Sequence, residues 1–290
     1  MRARRIASLE QALDVLTELG DEAQILAGGT DVMIQLQRGE IRPSTLVPIE
    51  PLSELGTIEV NGKVRLGSLV THESLARDVL GPGYAAIRES AASVGGWQTQ
   101  TVGTIGGNIC NASPAADTMP SLLVHDAQVN LLSKAGQRSM PLIDFVLGRR
   151  QTARRPDELL VSIDLAPASS RSGDTYLKVG RRGAMEIAIV CLSMRLEFAE
   201  DGRVSEARVA LASVAASPIR VRGAETLLEE SLPDDGVAAA AAEAILAEIS
   251  PIDDLRASAR YRRLLVPGLT RRAIVKCAER AGIPIDLVEV

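Results

Sequence analysis

The chain of 290 residues is 46% apolar and carries a net charge of −5, which is enough apolar material for two packed domains and the wrong balance for gripping a nucleic-acid backbone. No uninterrupted apolar run approaches the ~20 residues of a membrane-spanning helix, and Met1-Arg2-Ala3-Arg4-Arg5 leads into a helix instead of a signal-peptide core, so a soluble cytoplasmic protein is expected. Cys110, Cys191 and Cys277 are scattered, as are His72 and His125, which excludes a disulfide framework and an iron–sulfur ligand run; each histidine reads as a helix-surface or cap residue.

Ser8 to Gly20 predicts a helix, with Ser8 as cap, Gln11 in the capping-box position, and Leu9, Ala12, Leu13, Leu16 and Leu19 on one face. Gln24-Ile25-Leu26 reads as a strand delivering Ala27-Gly28-Gly29-Thr30-Asp31, after which Thr30 or Asp31 is placed to cap a short helix through Leu36. Asn61-Gly62 predicts a two-residue hairpin turn between Thr57 to Val60 and Lys63 to Leu66. Thr71 then caps a helix to Val79, and a second helix from Tyr84 to Val94 ends at Gly95-Gly96, with Trp97 expected as a packing anchor. A helix over Ala116 to His125, a hairpin over Gln128 to Pro141 and a strand over Asp157 to Ala166 complete the first domain.

The polar stretch from Pro167 to Asp174 is the expected domain boundary, giving a first domain of residues 1–172 and a second of 173–290. Beyond it, Thr175 to Val179, Glu186 to Ala199 and Arg203 to Val214 read as antiparallel strands. The tail reads as helices over Arg222 to Leu232 and Val237 to Ile249, then two arginine-bearing helical segments around Tyr261 and Arg271. The fold class is therefore α+β.

Two double-glycine segments carry the chemistry: Ala27-Gly28-Gly29-Thr30-Asp31 and Thr104-Ile105-Gly106-Gly107-Asn108. One glycine pair is commonly only a tight turn. Two, each after an apolar stretch and rich in hydroxyl and amide groups, offer bare backbone N–H groups to a ligand too wide to pass a Cβ atom, and a diphosphate has that shape and charge. The G-x-G-x-x-G spacing and the repeated βαβ units of a Rossmann fold are both missing.

The run Thr101-Val102-Gly103-Thr104-Ile105-Gly106-Gly107-Asn108-Ile109-Cys110-Asn111-Ala112-Ser113-Pro114-Ala115-Ala116-Asp117 resembles the FAD-binding signature of the molybdenum hydroxylase flavoproteins, the medium subunit of carbon monoxide dehydrogenase and the flavin part of xanthine dehydrogenase and aldehyde oxidase. Ala27 to Asp31 resembles that family's first FAD loop. Arg181-Arg182-Gly183-Ala184-Met185-Glu186-Ile187-Ala188 resembles its basic pair leading into an acid-Ile-Ala strand, and Asp254 to Leu264 its C-terminal helix signature.

The resemblance implies a two-domain fold, an FAD-binding domain of the vanillyl-alcohol-oxidase (PCMH) type followed by an antiparallel sheet-plus-helices domain. It implies FAD held by Ala27, Gly28, Gly29, Thr30, Asp31, Thr104, Ile105, Gly106, Gly107 and Asn108, with Asp117 as a ribityl or ribose partner or else a helix cap. Leu160 and Lys178 match positions lining the flavin. It also implies partners: a small subunit with two 2Fe–2S clusters and a large molybdopterin subunit holding the molybdenum, assembled as a dimer of heterotrimers. Electrons would then pass through FAD to an external acceptor, with no catalytic or metal-ligating residue on this chain.

Three departures stand out: Ile187 where some relatives have an aromatic beside the flavin, Glu186 where aspartate is commoner, and Gln98-Thr99-Gln100 where the family often has Ile-Arg. Cys110 lies next to the second segment, as a small apolar filler or as a group near the ring. The alternatives are a stand-alone flavin reductase of the same fold type, which needs its own proton donor and substrate clamp, and a non-catalytic nucleotide-binding or assembly protein.

Overall fold

The computed structural model describes residues 1–287. Its first layer is a three-stranded parallel sheet in which Thr45–Pro48 lies between Arg2–Ala3 and Ala23–Leu26. The helix Leu9–Leu19 packs Leu13, Val15 and Leu16 into this layer with Val47, Ile49 and Leu52. Ser8 caps that helix by accepting the Gln11 N–H, while the Gln11 side chain reaches past the cap to the Ala7 N–H.

The second layer is a five-stranded antiparallel sheet in the order Ile58–Val60, Val64–Gly67, Leu159–Leu165, Gln128–Ser133, Gly136–Pro141. Most of its helices are threaded between the second and fourth of these strands. The first hairpin has a three-residue loop, since Val60 pairs with Val64, and only Gly62 takes the left-handed conformation. The third sheet is antiparallel, in the order Ser172–Val179, Val190–Phe198, Val204–Ala212, Ile219–Arg220. Helices Arg222–Leu228, Asp235–Glu248 and Ala259–Ala281 close its apolar core, which includes Leu192, Met194, Leu211, Ile245 and Ile274. The helix Thr118–Val124 is buried along its whole length because it is wedged between the second and third sheets, where Ser121 and Ser193 share a hydrogen bond.

Several expectations need correction. The two arginine-bearing segments of the tail are one helix, Ala259–Ala281, continuous through Pro267. Trp97 is 69% exposed and anchors nothing; it starts a helix, Trp97–Val102, directly after Gly95-Gly96. The second glycine segment is the first turn of the helix Ile105–Asn111, not an open loop. The strand expected from Glu186 begins only at Val190, and Ser172–Val179 starts within the polar stretch read as a boundary, where Asp174 is buried.

Candidate cofactor-binding site

The strand Ala23–Leu26 ends where Leu26 accepts the Ile49 N–H, and the chain leaves the sheet as Ala27 to Asp31. The amide N–H groups of Gly28, Gly29, Thr30 and Asp31 have no acceptor among the described residues, and neither does the Thr30 hydroxyl. Asp31 stands at the N-cap of Val32–Gln37 without a side-chain cap bond, so neither expected cap forms. A row of unpaired N–H groups ahead of a helix is an anion-binding concavity.

The second segment is built differently. Ile105 N–H donates to Val70 O, Gly106 N–H to Ser68 O, Gly107 N–H to Thr104 Oγ1 and Asn108 N–H to Thr104 O. Bare backbone donors were expected at both segments; four occur at the first, and at the second only the Thr104 N–H has no acceptor among the described residues. What the second segment presents is the Thr104 hydroxyl, the Asn108 side chain, whose Oδ1 accepts from Thr118 Oγ1 at 2.7 Å, and an exposed Gly107 Cα.

The glycines differ in the same way. A Cβ on Gly28 would lie 1.6 Å from Val102 O, so Gly28 is required by the chain's own backbone where the two segments meet. A Cβ on Gly107 would meet a single atom, Thr104 Oγ1 at 3.0 Å, and otherwise enter open space. That space is a cavity of about 460 Å³ lined from both segments, within the usual range for cofactor sites.

Ala27, Gly28, Gly29, Thr30, Asp31, Thr104, Gly106, Gly107, Asn108 and Leu160 all line this cavity. Ile105 does not; its side chain is buried in the core of the second layer. Asp117 and Lys178 lie outside the lining as a buried network: Asp117 accepts from Tyr176 Oη at 2.6 Å and Lys178 Nζ at 3.0 Å, and Lys178 also donates to Ser93 O and Glu186 O. Asp117 makes no cap bond to its helix. Burial pushes the Asp117 carboxyl up, against the pull of Lys178 and Tyr176. The basic pair Arg181-Arg182 lies at a separate, open depression with Glu186, Ile187 and Arg256.

Sequence reasoning missed Ser68, His72, Arg150 and Arg154 as lining residues. Arg150 pairs with Glu40, whereas the Arg154 guanidinium donates only to backbone carbonyls, among them Glu158 O at 2.8 Å. Both come from a basic run, Arg149 to Arg155, whose ordinary reading is a solvated face. Burial raises the Asp31 carboxyl, with Arg150 opposing, and pushes the Cys110 thiol up to about 11. His72 is buried rather than on a helix surface, and burial pushes its imidazole down to about 4, so it is neutral near pH 7.

Two family models divide the chain between them: an FAD binding domain in molybdopterin dehydrogenase over residues 1–167, and a CO dehydrogenase flavoprotein C-terminal domain over residues 175–277. The chain belongs to the FAD-binding medium subunits of the xanthine dehydrogenase and carbon monoxide dehydrogenase family. It is 32% identical to a putative xanthine dehydrogenase FAD-binding subunit of Escherichia coli over 96% of each chain. Identity is also 32% to the glyceraldehyde dehydrogenase medium chain of Sulfolobus acidocaldarius, over 94% of this chain and 97% of that one. A solved carbon monoxide dehydrogenase chain from Hydrogenophaga pseudoflava superposes with a TM-score of 0.92 at 26% identity, covering 97% of this chain and 98% of its own.

As a member of this family the chain is an oxidoreductase component, and its cofactor is FAD. The residues present fit that group. Four residues whose N–H groups have no acceptor among the described residues line the cavity on one side, and a glycine whose Cβ would enter the open space lines it on the other.

Proposed function

We propose that this chain is the electron-carrying flavoprotein of a molybdenum hydroxylase complex, receiving electrons from 2Fe–2S clusters on a small partner subunit and passing them to an external acceptor. The observation that carries the reading is the convergence of two glycine segments, distant in sequence, on one cavity with four free amide donors on its wall. The relatives' names support it: one is a dehydrogenase FAD-binding subunit and another a medium chain.

When bound, FAD supplies the electron-transfer chemistry, for which this chain needs no nucleophile or metal of its own. The chain's residues hold and insulate it. Gly28 to Asp31 donate backbone hydrogen bonds to the diphosphate, Thr104 and Asn108 add side-chain donors, and Gly107 admits the ligand to the helix surface. Leu160 covers an apolar portion, and Arg154 adds a positive charge with no acidic partner among the described residues. Asp117 and Lys178 hold the wall from behind, where the Asp117 carboxylate accepts from Tyr176 and Lys178.

In the same reading residues 1–172 are an FAD domain of the vanillyl-alcohol-oxidase (PCMH) type and residues 173–290 a second domain. The large partner carries molybdopterin, the complex is a dimer of heterotrimers, and it works in the cytoplasm. The test is co-expression with the two partner subunits and anaerobic addition of substrate. The flavin's visible absorption should bleach in the complex and stay unchanged in the isolated FAD-loaded chain. An isolated, metal-free chain that turned over an organic substrate at ~1–10³ s⁻¹ would refute the subunit reading in favour of an independent flavin enzyme.

A further inference from the structure

We infer that a third segment, Ser68 to His72, binds the dinucleotide directly, through the Ser68 hydroxyl and the His72 imidazole. The inference rests on FAD occupying the cavity described above. Both residues line that cavity, and both are nearly fully buried. Buried polar atoms normally have partners. Ser68 Oγ and His72 Nδ1 are buried without any, and neither ring nitrogen of His72 is hydrogen-bonded among the described residues.

The backbone explains why these two groups are held at the site. Ser68 O accepts the Gly106 N–H and His72 N–H donates to Gly103 O, with Thr71 bridged to Thr104 between them. Segment 68–72 is thus laced along 103–106, which runs into the first turn of the helix that carries Gly107. Gly106 and Gly103 are packed against it: a Cβ on Gly106 would lie 2.7 Å from the Ser68 Cβ, and one on Gly103 would lie 3.1 Å from His72 Cδ2. The hydroxyl and the imidazole therefore cannot drift away from the cavity to find other partners.

Their chemistry suits the ligand. A neutral imidazole has one N–H donor and one acceptor nitrogen, and a hydroxyl has both functions. Phosphate oxygens and ribityl or ribose hydroxyls offer the matching acceptors and donors. An unsatisfied buried group destabilises the empty chain and is satisfied when ligand arrives, so these residues belong to the bound state.

The experiment compares the apo chain and FAD binding in Ser68→Ala, His72→Leu and His72→Gln. Removing an unpaired buried group should leave the apo melting temperature unchanged or raise it, while FAD affinity, read by flavin fluorescence quenching, weakens about five- to tenfold for Ser68→Ala and for His72→Leu. His72→Gln, which carries a polar amide to the Nε2 region, should recover most of the affinity. Wild-type affinity in both Ser68→Ala and His72→Leu overturns the inference, as does a loss of affinity that only parallels a loss of apo stability. Failure of the wild-type chain to bind FAD is a different outcome, because it overturns the cofactor assignment itself.

Discussion

Gly107→Ala separates a glycine kept for the ligand from one kept for the fold. Position 107 lies in the helix Ile105–Asn111 at an ordinary negative φ, so alanine there gains about 0.5–1 kcal/mol of helix propensity. Its one close contact, Thr104 Oγ1 at 3.0 Å, offsets part of that gain. The apo chain should therefore melt within a few degrees of wild type, about 2–4 °C per kcal/mol at this size.

The ligand meets a different situation. A group packed on the bare Gly107 Cα sits at ~3.5–4 Å, and a methyl of about 1.5 Å reach pushes it toward the opposite wall. In the binding mode proposed above, any retreat would break register with the amides of Gly28 to Asp31, and a hydrogen bond from such an amide to a charged diphosphate is worth about 1.5–3 kcal/mol. Loss of one such bond weakens FAD about tenfold to a hundredfold. Titration of apoprotein with FAD, followed by fluorescence quenching alongside apo melting curves, reads both quantities. An intact apo melt with the dissociation constant unchanged within about twofold would show that no part of the cofactor packs on this helix turn.

Gly28→Ala should behave in the opposite way, destabilising the apo chain itself by about 1–3 kcal/mol in denaturant melts, because its Cβ meets the Val102 backbone and not the ligand. Burial tends to raise the Asp174 carboxyl, but His125 and the Ala85 and Ala86 N–H groups hold it below its ordinary 3.8. The stability it confers is therefore complete above about pH 4 and lost as pH falls through the lower folded value. Asp174→Asn weakens the hydrogen bonds that the carboxylate accepts and should cost about 1.5–3 kcal/mol at pH 7 and flatten the acid limb of stability against pH in urea melts. With its thiol near 11, Cys110 should react with iodoacetamide about a hundredfold more slowly than an ordinary cysteine, and FAD should suppress the remaining reaction at this cavity-lining position, as peptide mapping would show. Metal analysis of the isolated chain should find neither iron nor molybdenum, since no cluster of three or more His, Cys, Asp or Glu residues suited to a metal occurs among the described residues.

Local signals were legible where neighbours in sequence decide the structure. Ser8, Thr71 and Thr104 each cap a helix by accepting an N–H three residues on, a pattern visible in the sequence for the first two. The capping role of Thr104 was hidden by the glycines after it, which read as loop until tertiary contacts with Ser68 and Val70 hold that turn helical. Both glycine segments were recognisable as candidates for one site, and both line one cavity, but which glycine is required by the chain's own backbone was not legible. Gly28 owes its identity to Val102, more than seventy residues away, and no local pattern reports that contact. Asp117 was placed between a cap and a ligand partner, whereas its carboxylate is held by Tyr176 and Lys178 from the other side of the expected boundary. Ser68 and His72 carried no signal at all, because an orphaned buried atom exists only once the chain around it has folded.

The C-terminal sheet acts on the cofactor site through one helix. Asp174 caps Ala85–Ala92 at the Ala85 and Ala86 N–H groups, Glu89 accepts from Tyr176 N–H and pairs with Arg280, and Lys178 donates to Ser93 O at the helix end. The next residue, Val94, lines the cavity, and so does Thr99 in the following turn. Breaking a buried, hydrogen-bonded charge pair costs about 3–5 kcal/mol, far more than a surface pair. The groups that hold this helix are of the buried kind: Asp174 is hydrogen-bonded to His125, and Lys178 is paired with Asp117. The cavity wall at Val94 and Thr99 is thus positioned by charges on Ser172–Val179, a strand that supplies no lining residue itself. A cofactor site needs such rigidity in its supporting shell, and here the second sheet-and-helix unit provides it.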